Sequence, residues 1–422
     1  MPSLRVATPK TRHVSLAITA LAAGGFAIGT TEFAIMGLLQ EMVAELGVSV
    51  PEGGHVISAY ALGVVVGAPL LAAAGAKMPR KWLALGLMAF FAVANLSSFI
   101  APDYGWLLVT RFLSGLPHGA FFGVAAVIAA SLVAPTRRGW AISMVMLGLS
   151  IANVIGVPFA TWLGQLAGWR WMFVLVGAIA LLTVALVAWF VPFQAAHPDA
   201  SIRRELSALR RMQMWLALLV GTVGFGGFFA VYTYISPTMT EVAGFSMGVL
   251  PLIVGLYGVG QVVGNIVGGR IADRSVMGSI YAVLAGTVVI LAVYAWGVQY
   301  KAGAIILVFL VGAIGSALTP ALQTRLLDVS PGAASLASSL NHAALNMANA
   351  LGAMAGGLVI AWGWGFRSPA IVGAVLALLG LGVALLSGAL DRRRPVNAAE
   401  KTAAAGTAPG NGGRHGPPPT RF

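Results

Sequence analysis

Apolar runs about one bilayer thick recur along this chain from Val14 to Leu390, twelve in all, and the polar residues gather in the short stretches between them. A helix advances only ~1.5 Å per residue, so crossing a hydrocarbon core of roughly 30 Å takes about 20 apolar residues. The run lengths therefore predict spans at 14–38, 55–75, 82–101, 105–130, 140–163 and 169–193. A second set is predicted at 214–237, 248–271, 277–298, 302–324, 334–361 and 366–390. The expected fold is an all-α polytopic membrane protein whose 12 transmembrane helices form two six-helix, pseudo-symmetric halves, 14–193 and 214–390. An N-terminal tail (1–13), a central loop (194–213) and a C-terminal tail (391–422) complete the chain.

Composition agrees, with 59% hydrophobic and only 9% charged residues, against roughly 25% charged in soluble domains. A formal net charge of +13 would suit a nucleic-acid-binding protein, but its placement argues otherwise. Basic residues fall in alternate loops: Arg5, Lys10 and Arg12 before the first span, Lys77, Arg80 and Lys81 after the second, Arg137 and Arg138 after the fourth. Arg203, Arg204, Arg210 and Arg211 occupy the central loop, Arg270 and Arg274 follow the eighth span and Arg325 the tenth. The other loops offer Arg170, Lys301 and Arg367. This is the bias that keeps basic loops inside, so both termini are expected in the cytoplasm and the charge serves a lipid bilayer rather than nucleic acid. The chain has no cysteine, which excludes disulfides and thiolate chemistry. No metal-ligand cluster or nucleophile–base pairing is visible, so neither an enzyme nor a cofactor is expected. The first apolar run is too long for a cleavable signal and acts as its own insertion signal. Ile202, Leu206 and Leu209 recur at helical spacing in the central loop, which suggests a short interfacial helix. The Ala-, Gly- and Pro-rich stretch after Arg394 reads as disordered.

The halves repeat. Gly75-Ala-Lys-Met-Pro-Arg80 follows the second span, and Gly269-Arg-Ile-Ala-Asp-Arg274 follows the eighth. Two six-span halves joined by a charged loop suit a parallel-repeat transporter with a substrate site at the seam. Glu32 is the one carboxylate well inside a span, and Gly25, Ile28, Gly29 and Met36 share its helical face. Ionisable residues in membranes are costly and mark ion or substrate pathways. Glu32 is therefore the first candidate for proton coupling; the plainer reading is an interfacial glutamate reaching the headgroups. Arg111 enters the fourth span at similar depth, with Gly115, His118 and Phe122 continuing one face. A snorkelling arginine and a hydrogen-bonded core histidine are the structural alternatives. Polar stripes run along span eleven (Ser335, Ser338, His342, Asn346, Asn349) and span eight (Tyr257, Gln261, Asn265). Phe225, Phe228, Phe229 and Tyr232 recur on one side of span seven. Either set serves helix packing or a substrate cavity.

Several strings make a resemblance specific. They are Gly29-Thr-Thr-Glu-Phe-Ala-Ile-Met-Gly37, Tyr60-Ala-Leu-Gly-Val-Val-Val-Gly-Ala-Pro69, Arg111-Phe-Leu-Ser-Gly-Leu-Pro-His-Gly-Ala-Phe-Phe-Gly123, Asn153-Val-Ile-Gly-Val-Pro158 and Gly168-Trp-Arg-Trp-Met-Phe173. The chain resembles the major facilitator superfamily, in its drug and sugar efflux, proton-antiporter branch of arabinose-efflux and chloramphenicol-resistance type permeases. The resemblance implies a cavity lined by spans one, four, seven and ten and a role for Arg111 in proton transfer. Gly148, Gly156 and Pro158 resemble the branch's helix-bend motif, although Val157 separates the last glycine from the proline. Arg80, Lys81, Asp273 and Arg274 fall on the family's cytoplasmic latch loops, with Pro79 where the first copy normally has aspartate. The expected function is proton-coupled export of a small molecule by alternating access. Glu32, Arg111 and His118 would handle protons; Met36, Phe122, Phe225, Phe229, Tyr232, His342 and Asn346 would line the cavity. The protein is expected to work as a monomer in the inner membrane, with a proton gradient as its energy source. A proton symporter and a non-transporting sensor on the same fold are the alternatives.

Overall fold

The computed structural model describes residues 11–75, 78–134, 137–194, 210–330 and 334–392. The interfacial helix expected at Ile202–Leu209, the tail after Arg394 and the side chain of Ser335 lie outside the described residues or side chains. The first half comprises α1 (Val14–Gly37), α2 (Val50–Leu71), α3 (Arg80–Phe99), α4 (Tyr104–Ser131), α5 (Trp140–Ala167) and α6 (Trp171–Phe190). The second comprises α7 (Met212–Thr233), α8 (Met247–Arg274), α9 (Val276–Gly297), α10 (Lys301–Val329), α11 (Ala337–Ala361) and α12 (Ser368–Arg392). No strand occurs among the described residues. The face on which α1 begins and α12 ends is called here the terminus face, and the opposite one the far face. Exposed tryptophans ring both: Trp82, Trp140, Trp189 and Trp215 on the first, Trp106, Trp162, Trp171, Trp296, Trp362 and Trp364 on the second. Their rings settle where hydrocarbon meets headgroups, which marks the depth of the bilayer on the molecule.

The two helix ends that depart furthest from the apolar runs each do so for a local reason. α2 starts at Val50 rather than 55 because Ser49 and Glu52 cap it reciprocally. Ser49 N donates to Glu52 Oε2 at 2.7 Å and Glu52 N to Ser49 Oγ at 3.4 Å, a capping box. Pro51 falls in the first turn, where a missing N–H costs little. α10 runs to Val329 rather than 324, so Arg325 is not a loop residue but a buried one, 9% exposed. It stays inside because Gln213 Oε1 (3.0 Å), Ser387 Oγ (3.3 Å) and Asp391 Oδ2 (2.5 Å), from α7 and α12, accept from its guanidinium.

Lipid tails are as apolar as leucine, so helices associate there by close packing rather than by hydrophobic exclusion. The two halves solve this identically. In α2–α4, a Cβ on Gly67 would lie 2.0 Å from the Leu116 carbonyl oxygen; in α8–α10, one on Gly264 would lie 2.0 Å from that of Ala313. Only glycine lets these backbones touch. In α5 a π-helical turn at Ala152–Gly156 precedes Pro158, which then sits in the first turn of the α-helix that follows.

The halves are joined at the far face. Gln40, on a short helix Leu39–Leu46 between α1 and α2, accepts from Ser236 Oγ (3.0 Å) and Thr240 Oγ1 (2.9 Å) and donates to Glu241 Oε1 (2.9 Å). Gln165 donates to the Met247 carbonyl at 2.8 Å, and Ser58 Oγ to that of Ala350 at 3.4 Å. One apolar core runs through Phe33–Val43 and Trp169–Phe173 into the whole second half, whereas the terminus-face end of the first half has a core of its own. Among the described residues no hydrogen bond or ion pair joins the halves at the terminus face.

Candidate functional site

Glu32 lies in the last two turns of α1 and is 5% exposed. The flanking Thr30 and Thr31 are fully buried. Its charge is felt at Arg111 on α4, Tyr60 on α2 and Tyr232 on α7, so it stands where helices of both halves converge. Glu32 and Arg111 attract through space but form no ion pair. Arg111 is instead committed to the side chain and backbone of Thr31, the residue before Glu32. Its Nη1 donates to Thr31 Oγ1 at 3.1 Å and its Nη2 to the Thr31 carbonyl at 3.4 Å. The guanidinium also lies over the Tyr60 ring, 4.4 Å from the centroid. That contact strengthens when water is excluded. Thr31 Oγ1 in turn donates to Asn95 Oδ1 at 2.7 Å. Arg111 Nε has no hydrogen-bond partner among the described residues.

The same tyrosine reaches deeper. Tyr60 Oη and His118 Nδ1 are 3.0 Å apart. His118 on α4 and His342 on α11 face one another across the seam with ring centroids 6.1 Å apart. Phe122 stacks on His342 at 5.3 Å, with an interplanar angle of 1°. Thr31, Arg111, Tyr60, His118 and His342 thus form one chain of hydrogen-bond and ring contacts, beginning beside Glu32 and running toward the terminus face.

The other wall is aromatic. Phe33 stacks on Phe229 at 6.4 Å and meets Tyr232 at 5.7 Å; Tyr232 stacks on Tyr257 at 3.9 Å. Phe225 packs on Phe228 and Phe229 behind them. Met36 is fully buried in the core that joins the halves. Asn346 donates to the His342 carbonyl at 3.1 Å. Its Oδ1, both amide atoms of Asn349, the Tyr257 hydroxyl and Asn153 Oδ1 are buried without a partner among the described residues.

The remaining expected site residues lie apart. Gly148 presses α5 on α1, with the Ala22 carbonyl oxygen 2.0 Å from where a Cβ would stand; Gly156 lies against Thr30 and Phe26. Pro158 touches Gly255 on α8, across the seam. The four loop residues are not brought together. Lys81 donates to the Ala188 carbonyl within its own half at 2.7 Å, and the Arg80 N–H to that of Gln194 at 3.3 Å. Asp273 and Arg274 are exposed and enter no ion pair among the described residues. Among the described residues none of the four is bonded to the other half.

Tyr60, Thr31, Asn95 and Phe33 are site members that the polar pattern alone does not single out, whereas Tyr257 belongs to the polar stripe of span eight. One signal was available: Tyr-x-x-Gly-x-x-x-Gly occurs at 60–67 and again at 257–264. It places a tyrosine beside each half's glycine-packed helix pair.

A family model described as Major Facilitator Superfamily matches residues 21–305 and 252–417. The chain belongs to the major facilitator superfamily. It is 40% identical over 374 residues to "Inner membrane transport protein YdhP" of Escherichia coli O157:H7, covering 89% of this chain and 96% of the relative. It is 34% identical over 351 residues to the "Chloramphenicol resistance protein" of Streptomyces lividans, covering 81% and 87%. In fold it matches a bacterial homolog of the human lysosomal transporter Spinster, in an inward-facing and occupied conformation. That match has a TM-score of 0.73 and 16% identity, and covers 92% of this chain and 100% of the other. This major facilitator protein is accordingly a multi-pass membrane transporter of a small solute, not an enzyme.

Proposed function

We propose that this chain exports a small, largely uncharged amphiphile in exchange for protons across the bacterial inner membrane, with both termini in the cytoplasm. The observation that carries the reading is Glu32: a carboxyl removed from water at the convergence of α1, α2, α4 and α7, with no ion-pair partner among the described residues. A charge so placed without a partner is costly, so its protonation and its surroundings must change together. Arg111 acts as a modulator. Tied to Thr31, it keeps a positive charge near Glu32 without neutralising it, and a small displacement of α4 against α1 changes that attraction.

Substrate and proton then compete for one seam. The stacked Phe33, Phe229, Tyr232 and Tyr257 suit a planar or amphiphilic solute. Buried polar atoms of Tyr257, Asn346, Asn349 and Asn153 without partners suit one bearing a few hydroxyl, carbonyl or amide groups. A single acid where Glu32 meets the aromatic wall disfavours a strongly cationic cargo. The protein needs no cofactor beyond the proton gradient, binds no nucleic acid and functions as a monomer in lipid. With the far face closed, the seam loads from the terminus face; opening the far face releases the cargo outward.

The test is proton movement in proteoliposomes containing a pH-sensitive dye, under an imposed pH gradient, with drugs, sugars and nucleosides added in turn. A substrate-triggered flux in the wild type that vanishes in Glu32→Gln is the expected result. Flux surviving in that variant would move coupling to Arg111 and His118 and overturn the assignment of Glu32.

A further inference from the structure

A second recess lies away from the seam, at the terminus face of the first half, between α1, α3, α4 and α6. It encloses about 310 Å³ and is walled by Val14, Leu132, Phe190, Val191 and the Trp189 ring, with Lys81 as its charged member. Lys81 donates one N–H to the Ala188 carbonyl in the last turn of α6, at 2.7 Å. An ammonium has three donors, and among the described residues Lys81 has no carboxylate partner.

The surroundings are uniformly basic. The described residues of this face in the first half carry Arg80, Lys81, Arg137 and Arg138 and no aspartate or glutamate. The second half differs. Its loop keeps Asp273, and its buried Arg325 is paired with Asp391. Pro79 in the first copy therefore leaves a positive charge uncompensated at the mouth of an apolar recess. Pro79 also leaves the first turn of α3 without a side-chain cap, which adds the positive end of a helix to the same spot.

Depth distinguishes the occupants. Trp189, 85% exposed, stands at the recess, and Trp82, 57% exposed, follows Lys81 on α3; the two mark it as lying at headgroup level. A free phosphate gains nothing from walls of valine, leucine and phenylalanine, whereas an acyl chain does. We propose that this recess holds an anionic phospholipid of the terminus-face leaflet, its phosphate on Lys81 and its upper acyl chain against Val14, Leu132 and Phe190.

The experiment is native mass spectrometry of the purified full-length protein, offered phosphatidylglycerol and phosphatidylethanolamine in equal amounts. The wild type should retain phosphatidylglycerol preferentially. A basic residue near a membrane surface contributes enough that its loss should lower that retention about fivefold in Lys81→Gln, and more in Lys81→Glu. Lys81→Arg should retain it. Leu132→Trp, which fills the recess and leaves the charge, should also release the lipid, and it carries the test if the lysine variants do not fold. Three outcomes would overturn the proposal: equal retention of the two lipids by the wild type, undiminished phosphatidylglycerol in Lys81→Glu, or its displacement by millimolar inorganic phosphate. The last would identify a free-anion site instead.

Discussion

Arg111 and Tyr60 show how one pair of side chains can serve two demands. The guanidinium needs desolvated partners, and it finds the Thr31 hydroxyl, the Thr31 carbonyl and the Tyr60 ring. A lysine could hold one of these but not the planar set, so Arg111→Lys is not conservative here. Hydrogen bonds to charged groups contribute about 1.5–3 kcal/mol. Transport should therefore fall at least about tenfold in Arg111→Lys, while the protein still runs as a folded species on gel filtration. Tyr60 separates its two roles cleanly. Tyr60→Phe keeps the ring beneath Arg111 and removes only the hydroxyl facing His118, a loss of about 1 kcal/mol that should lower transport by no more than about fivefold. Tyr60→Leu removes the ring as well and should approach the loss of Arg111→Lys. Equal transport rates for the phenylalanine and leucine variants would show that the cation–π contact does not matter. Glu32 was legible in the sequence because an acid amid apolar residues stands out. The tyrosine was not, because a tyrosine in a span resembles any other apolar position until its hydroxyl and ring find partners.

Helices carry the next layer of information, and much of it was readable because lipid enforces it. Run length set all twelve spans to within a few residues, since a backbone in hydrocarbon has no alternative to the helix. The furthest-misplaced ends, at Val50 and Val329, are those where polar side chains extend a helix past the apolar run: the Ser49–Glu52 cap and the Arg325–Asp391 pair. Which glycines touch which backbones was not readable from spacing, because glycines within a half and between halves look alike. The structure separates them. Gly258 on α8 meets the Asn153 carbonyl oxygen on α5, across the seam, at 2.1 Å from a would-be Cβ; Gly264 meets α10 within its own half. Overpacking costs about 1–3 kcal/mol at such places, but the consequences differ. Gly264→Val should lower the unfolding temperature. Gly258→Val should fold normally and hold the far face open. The chain has no cysteine, so a single Thr161→Cys, at a position fully buried here, gives a background-free probe. An impermeant maleimide should label it faster in Gly258→Val than in the parent. Unchanged labelling would mean that α5 and α8 part elsewhere.

At the scale of the molecule, far-face closure gathers acidic residues that the open arrangement would leave in water, and this ties the state of the transporter to pH. Glu41 sits on the short helix Leu39–Leu46, next to Gln40, which bridges to Ser236, Thr240 and Glu241 of the other half. Both Glu41 carboxylate oxygens are buried without a hydrogen-bond partner among the described residues. Burial therefore pushes its pKa above the ordinary value of 4.5, and the nearby Gln165 amide, whose N–H goes to the Met247 carbonyl, offsets only part of this. The other acid of that helix, Glu45, is held by Arg170 and by Trp169 Nε1 at 2.7 Å. The closed arrangement thus binds a proton on Glu41 more tightly than the open one does. Its advantage is complete below the ordinary value and is lost as pH rises through the raised one, because ionised Glu41 prefers water. Low pH on the far side should then favour the state that faces the terminus side, the direction a proton-driven exporter needs to reload. The same cysteine probe reads this directly. Normalised at each pH to the rate of the unfolded protein, because the maleimide reacts only with the thiolate, labelling of Thr161→Cys should slow as the outside pH falls toward 5, and Glu41→Gln, neutral at every pH, should show a low normalised rate with no pH dependence. A pH profile that persists in Glu41→Gln would assign the response to another group and leave Gln40 as a structural tie alone.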